Sequence, residues 1–147
     1  MRRLVRRYGL LLIALVLQVL VGCAPAGPPV SLDQLPLPAG FAPYEGAYEV
    51  TFDTLISTYE RAFGVQRRKY EIGFYWRAEA LDWEQIMQFY REALAEQGWT
   101  EKAQADIFTA HWVRRSTAGR QTLVIGRVPI PDGEGGYWDI LVLILAS

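Results

Sequence analysis

Apolar and polar residues in the second half of the chain follow a pattern that predicts a strand, a helix and then three more strands. The first strand covers Lys69 to Ala78, where a large apolar side chain at every second position gives one strongly apolar face. The apolar spacing then changes to that of an amphipathic helix. The stripe of this helix consists of Trp83, Ile86, Met87, Tyr90, Ala93 and Leu94.

Both ends of this helix carry end signals. Asp82 is predicted as an N-cap whose carboxylate accepts from first-turn amides, with Gln85 as the reciprocal half of a capping box. Gly98 occupies the position that tolerates a left-handed turn, and Trp99 is predicted to pack back on Leu94, as in a Schellman motif. These signals predict one main helix between residues 82 and 98.

The remaining strands and one earlier helix complete the predicted fold. The strands cover Ile107 to Arg115, Thr122 to Val128 and Tyr137 to Leu145, and the last is apolar enough to be buried on both sides. Pro129 to Gly136, rich in proline and glycine, is predicted as a loop outside the sheet. A short helix is predicted over Asp53 to Phe63. The prediction is an α+β fold of order α-β-α-β-β-β, in which one main helix packs on an antiparallel sheet of about four strands.

The first 22 residues have the pattern of an export signal. Four arginines lie within Met1 to Tyr8, and Gly9 to Val21 is apolar apart from Gln18, as in a charged region followed by a short apolar one. The apolar run is shorter than the about 20 residues that a membrane-spanning helix needs. The mature chain is therefore predicted to be exported.

The end of this signal resembles the lipobox of bacterial lipoproteins. The residues are Leu20-Val21-Gly22-Cys23, and Cys23 is the only cysteine of the chain, which leaves it no disulfide partner within the chain. We predict that Cys23 carries acyl chains that hold the protein on the extracytoplasmic side of the cell membrane or outer membrane, since two or more chains anchor stably. The predicted organisation is a signal peptide (1–22), lipidated cysteine and Pro-rich tether (23–43), and one domain (44–147).

The tether permits two arrangements. Residues 24–43 contain six prolines, and an extended polyproline-like chain of some 20 residues would lift the domain roughly 60 Å from the membrane. In the alternative arrangement, its later part lies against the domain through Leu35, Leu37 and Phe41. The pattern alone does not choose between the two.

Charge and length narrow the class of protein. Without the four signal arginines, 11 of the 15 basic residues remain against 16 acidic ones, so the mature chain has a net charge near −5. Such a chain has no overall electrostatic attraction to nucleic acid or to an anionic membrane surface. Its length suits a single domain.

Gln88-Phe89-Tyr90-Arg91, followed by Leu94 and Gly98-Trp99 and then three strands, resembles small, largely uncharacterised bacterial lipoproteins. In these a Leu-Pro-x-Pro tether precedes one α+β domain, and Leu35-Pro36-Leu37-Pro38 stands at that position here. The resemblance implies a lipid-anchored single domain and brings no catalytic residues with it. The segment from Glu49 to Gln66 is longer than its counterpart in the family.

Candidate chemistry is sparse. His111 is the only histidine, which excludes a multi-histidine metal site. A Ser-His-acid triad would need His111 with Ser57 or Ser116 and Asp106, but the sequence contains no nucleophile elbow. Asp82 and Glu84 are explained by a helix N-terminus, where negative charge is favourable. We predict no catalytic, cofactor-binding or metal site and no enzymatic activity.

Two charged features keep a second interpretation. Asp132-Gly133-Glu134 is predicted as a polar hairpin loop, with calcium binding as the alternative, although it lacks the ligands of an EF-hand loop. Arg67-Arg68-Lys69 and Arg114-Arg115 are predicted as solvated turns. Their alternative is contact with lipid headgroups or with an acidic partner.

The aromatic residues carry the remaining functional signal. Tyr75 and Trp112 are candidates for an exposed apolar interaction surface if one face of the sheet is open, whereas they are core residues if the first helix or the tether covers that face. The predicted function is a lipid-anchored binding domain that docks an envelope protein. The alternative is a carrier of a small apolar ligand between helix and sheet.

Overall fold

The computed structural model describes residues 27–46, 50–63, 69–79, 82–102 and 108–147. Within these ranges lie two α-helices, one 3₁₀ turn and six strands. The helices are α1 (Val50–Phe63) and α2 (Trp83–Ala95), and the 3₁₀ turn is Leu32–Gln34. The strands are β1 (Ala42–Pro43), β2 (Tyr70–Trp76), β3 (Thr100–Glu101), β4 (Thr109–Ser116), β5 (Gly119–Pro131) and β6 (Tyr137–Ala146).

The six strands form one antiparallel sheet in the order β1-β2-β6-β5-β4-β3. β6 lies at its centre and is buried on both faces, as its continuous apolar sequence predicts. The β5–β6 hairpin extends past its neighbours, because β2 stops pairing at Leu141 and β4 at Gly126. We call this the hairpin end of the sheet, and the opposite end, which carries the β4–β5 turn at Thr117 and Ala118, the turn end.

Helix α2 covers the first face of the sheet. Its apolar stripe packs on side chains from β4, β5 and β6, and the helix presents Met87, Tyr90 and Leu94 with at most 1% exposure. Trp112 is the largest fully buried side chain beneath it. Burial of this aromatic and aliphatic surface supplies the main stabilisation of this layer.

Helix α1 covers the second face. Phe52 stacks on Phe74 with 4.4 Å between ring centroids, and Tyr59 lies over Gly126, where a Cβ would be only 2.5 Å from the tyrosine oxygen. The Thr109 hydroxyl donates a hydrogen bond to the Tyr59 oxygen at 3.1 Å, in a buried position. The sheet is therefore covered by one helix on each face.

The segment from Gly27 to Phe41 lies against the domain. Leu35 is 6% exposed in the core under α2, and Leu37 and Phe41 pack against the same cluster. Val30 exchanges two backbone hydrogen bonds with the Gln121 side chain, and the Leu32 amide donates to the Glu71 carboxylate. Of the two arrangements open for the tether, the structure shows the packed one for these residues.

The α+β class and the single antiparallel sheet are confirmed, and the number and order of strands were wrong in detail. The sheet has six strands instead of about four, in the order β-α-β-α-β-β-β-β. Both additional strands, β1 and β3, contain two residues each, which is too short for an alternating pattern to be visible. Helix α1 begins at Val50 instead of Asp53.

The predicted loop from Pro129 to Gly136 was wrong at its start, because β5 continues to Pro131. The Arg127 amide donates to the Phe108 carbonyl on the β4 side of β5. Positions two and four residues later face the same side, so Pro129 and Pro131 lack their N–H groups where β4 has already ended. Prolines are tolerated in this strand because no ladder bond to the described residues of β4 is lost there.

The two ends of α2 differ in how well the predictions hold. Asp82 is the N-cap residue, but no capping hydrogen bond from its side chain is present, so the predicted capping box was wrong. At the other end Gly98 has φ 77° and the Trp99 amide donates to the Leu94 carbonyl at 3.1 Å, which confirms the Schellman turn. The export signal, Cys23, Arg67-Arg68 and Asp106 lie outside the described residues.

Candidate functional site

The two aromatic residues proposed from the sequence as an interaction surface lie on the first face, which is covered. Trp112 is 1% exposed and packs 6.3 Å from Tyr90, ring centroid to centroid. Trp112 is thus a core residue and its assignment to an exposed surface is corrected. The signal for this was its position on the same strand face as Ala110, an apolar pair beneath a helix.

Tyr75 is half-buried on the same face. Its ring folds back over Gly73, where a Cβ would lie 2.5 Å from the tyrosine oxygen. It packs against the core under α2, and burial raises the pKa of its hydroxyl. Covering of this face, the alternative for Tyr75, is therefore what the structure shows, and Tyr75 is held too closely to form an open patch.

Exposed aromatic side chains occur instead at the hairpin end. Tyr137 is 69% exposed and Trp138 is 44% exposed, and Trp138 contacts Trp76 with 5.9 Å between ring centroids. Arg127 of β5 forms an ion pair with Asp139 of β6, with 2.5 Å between the guanidinium nitrogen and the carboxylate oxygen. The sequence pattern did not indicate these residues, because the apolar run of the final strand predicts burial on both faces over its whole length.

These aromatics border a shallow cleft of about 130 Å³. We define the hairpin surface as the cleft residues Arg77, Arg127, Tyr137, Trp138 and Asp139. Arg77 donates to the Ala39 carbonyl and pairs with Glu79 at 2.8 Å, so its guanidinium is fixed beside the cleft. Tyr137 and Trp138 are consecutive in β6, so their side chains leave opposite faces of the hairpin. Tyr137 therefore lies on the first face with the two oriented arginines, and Trp138 packs on Trp76 on the second face.

The loop between β5 and β6, at the tip of the hairpin, is closed by hydrogen bonds to Asp132. One oxygen of the Asp132 carboxylate accepts from the amides of Glu134 and Gly136, each at 2.8 Å. Gly133 and Gly135 have φ 81° and 92°, a backbone conformation that glycine adopts without strain. The polar hairpin loop predicted for Asp132 to Glu134 is present, with the aspartate oxygen directed to backbone amides.

The residues considered for nucleophilic catalysis do not meet. His111 and Ser116 lie on β4 at positions of opposite parity and thus on opposite faces of the sheet. The Ser116 hydroxyl donates to the Gly119 carbonyl, and the Ser57 hydroxyl donates to the Thr54 carbonyl within α1. Burial, and then the positive charges of Arg120 and Lys102, lower the pKa of His111.

A second and larger depression lies at the turn end, with a volume of about 680 Å³. Its floor is the end of β4, and its walls are the C-terminal turn of α2 and the start of the described chain at Gly27. Four basic side chains line it, and we call it the basic groove. These are Lys102, Arg114, Arg115 and Arg120.

No family model, curated protein or solved structure matches this chain. Within the described ranges, no three His, Cys, Asp or Glu side chains come together as metal ligands would. The helices in the same part of the chain are too short or too polar to cross a bilayer. The hairpin surface and the basic groove are therefore the candidate functional features of the described residues.

Proposed function

We propose that this protein is a lipid-anchored extracytoplasmic module that docks a protein of the cell envelope through the hairpin surface. The observation that carries the proposal is the exposure of Tyr137 and Trp138, 69% and 44%, on a strand that is buried from Ile140 onward. Exposed apolar surface usually marks an interaction site, and here the two rings flank the tip of the hairpin on its two faces. Cys23 supplies the anchor through its acyl chains.

The residue types of the hairpin surface are those of protein-binding hot spots. Tyrosine, tryptophan and arginine contribute most of the affinity in typical interfaces, where they fill or border small pockets. The two arginines are already oriented by Glu79 and Asp139, which provides polar groups with hydrogen-bonding capacity beside Tyr137. The chemistry favours a folded protein partner with an apolar contact site.

The hairpin is also rigid enough to bind without large ordering costs. β5 and β6 stay paired to the Pro131↔Tyr137 position, and the second face of the hairpin is packed by Val128 and Ile130 at 2% exposure. The contact between Trp138 and Trp76 holds one of the two rings in place. Preorganised side chains lose less conformational entropy on binding, which favours affinity.

The position of the hairpin suits a partner located away from the membrane. β5 spans 13 residues, which places the tip about 40 Å from the turn end at roughly 3.3 Å per residue. The described chain begins at the turn end with Gly27, four residues after Cys23. An anchored domain would thus direct its aromatic tip away from the bilayer.

The packing between α2 and the sheet supports docking over the carriage of a small apolar ligand. Trp112, Tyr90, Met87 and Leu94 fill that layer with at most 1% exposure. A ligand carrier needs a cavity of a few hundred Å³ lined by apolar side chains. Side chains of the protein itself occupy this space.

The proposal is tested by crosslinking in intact cells. With Tyr137 replaced by p-benzoylphenylalanine, irradiation is expected to attach one envelope protein, whereas the same replacement at exposed Thr117 at the turn end attaches none of it. The isolated pair should then show a Kd at least about 30-fold higher for Trp138→Ser, as expected for a hot-spot residue. Tyr70→Ser is the control, because Tyr70 is 41% exposed but lies at the turn end.

Identical products from positions 137 and 117, or a Kd unchanged in Trp138→Ser, would reject docking through the hairpin surface. The anchor is tested separately. Cells fed labelled palmitate should label the wild-type protein and not the Cys23→Ser variant. Loss of this label with retention of the crosslink would separate the anchor from the docking function.

A further inference from the structure

The first described residue is fastened to the domain at the edge of the basic groove. Gly27 forms a bridge with Ser116, and its carbonyl accepts from the Thr117 amide at 3.0 Å. Arg114 donates to the Pro28 carbonyl at 3.0 Å, and its guanidinium lies 2.7 Å from where a Cβ of Gly27 would be. Gly27 is therefore held at one defined point of the domain, beside four basic side chains.

The distance from this point to the predicted lipid is short. Four residue steps separate Cys23 from Gly27, which a fully extended chain spans in at most about 14 Å. The 20-residue tether considered from the sequence would have allowed roughly 60 Å. Because residues 27–43 lie on the domain, a lipid on Cys23 would hold the turn end against the headgroups.

The charges that line the groove differ in sign from the net charge of the protein as a whole. The groove lining combines Lys102, Arg114, Arg115 and Arg120 with a single acidic side chain, Glu96. The C-terminal end of α2 lies nearby, and helix-end carbonyls carry partial negative charge. Here the carbonyls of Leu94 and Ala95 already accept hydrogen bonds from the amides of Gln97, Gly98 and Trp99. The local charge is thus positive although the mature chain is near −5.

We infer that the basic groove is a membrane-contacting surface that binds anionic phospholipid headgroups of the bilayer holding Cys23, and so orients the domain with the hairpin surface outward. The inference depends on the lipid anchor of the proposed function and adds a second contact to it. Surface potentials act within about one Debye length, roughly 8 Å at physiological salt, and a connection of at most about 14 Å allows the groove to come within that distance of the headgroups. Each Lys or Arg held at an anionic surface contributes roughly a fivefold factor in binding.

The test uses the mature chain coupled through the Cys23 thiol to a maleimide lipid in vesicles. Amide hydrogen exchange of residues 114–120 is compared on vesicles with 30% phosphatidylglycerol and on phosphatidylcholine alone. Protection is expected on the anionic vesicles and should disappear at 1 M salt. Arg115→Gln with Arg120→Gln should lower the docking equilibrium constant about 25-fold.

The matched control is Arg61→Gln with Arg91→Gln, which makes the same change in net charge outside the groove lining and is expected to keep the protection. Equal exchange on both vesicle types, or equal loss in both double variants, would overturn the inference. Protection on phosphatidylcholine vesicles induced by inorganic phosphate would assign the groove to a soluble anion instead. Chemical coupling makes these outcomes independent of lipidation in cells, which palmitate labelling measures.

Discussion

Truncation of Leu35 to alanine tests whether residues 27–43 belong to the folded domain. Leu35 is 6% exposed and shares the core cluster of α2 with side chains of β4, β5 and β6. Removal of a buried leucine side chain costs about 2–5 kcal/mol, through lost transfer free energy and the cavity left behind. Because Leu35 lies on a segment at the margin of that core, we expect the lower half of this range, about 2–3 kcal/mol.

The measurement is urea unfolding of the mature chain with Cys23→Ser, followed by the fluorescence of its five tryptophans. With a slope of about 1–3 kcal/mol per molar urea, the midpoint should fall by roughly 1–2 M while the slope stays unchanged. Ala39→Ser is the control in the same segment. Ala39 is exposed, so the change should stay within about 0.5 kcal/mol.

A free-energy change below about 0.5 kcal/mol for Leu35→Ala would refute the packed segment, since a flexible tether carries no stability at this position. It would also remove the short connection to Cys23 on which the membrane-facing groove depends. A loss near 2–3 kcal/mol would place the start of the domain at or before Leu35 instead of at residue 44.

Three further variants test the packing and electrostatics of the two faces. Tyr75→Ser should destabilise the protein by about 2 kcal/mol in urea unfolding, because the ring is half-buried on the core, and an intact free energy would return Tyr75 to the surface. Gly126→Ala should cost about 1–3 kcal/mol, since the added Cβ meets the Tyr59 ring, and a stabilised variant would contradict that contact. The lowered pKa of His111 means that the unfolded chain binds more protons just below pH 6.5, so stability falls as pH drops below about 6.5. His111→Gln should reduce the difference in unfolding free energy between pH 5.5 and pH 7.5. An unchanged difference would show that the lowered pKa of His111 is not the cause of the pH dependence.

Charge is a clear case in which composition and structure lead to different conclusions. The acidic composition of the mature chain argues against attraction to an anionic surface. The fold separates the charges in space, since the turn of β4 and β5 brings Arg114, Arg115 and Arg120 together and Lys102, the residue after β3, lies with them. A net charge cannot show such separation, because it contains no information on position.

The sequence by itself determined the elements that depend on local pattern. The period of β2, the buried run of β6 and the stripe and glycine end of α2 are all readable within one turn or one strand. The lipobox pattern at Cys23 is likewise a local signal. These features need no knowledge of distant residues.

Only the tertiary structure decided which faces are covered and which ends are exposed. Trp112 and Trp138 both lie on apolar strands, but α2 covers Trp112, whereas Trp138 lies where the β5–β6 hairpin extends past the neighbouring strands. Residues 27–41 have a tether's composition and still pack, because the face beside β2 leaves apolar surface for Leu35 and Phe41 to bury. Burial depends on partners far away in sequence, and no local period contains them.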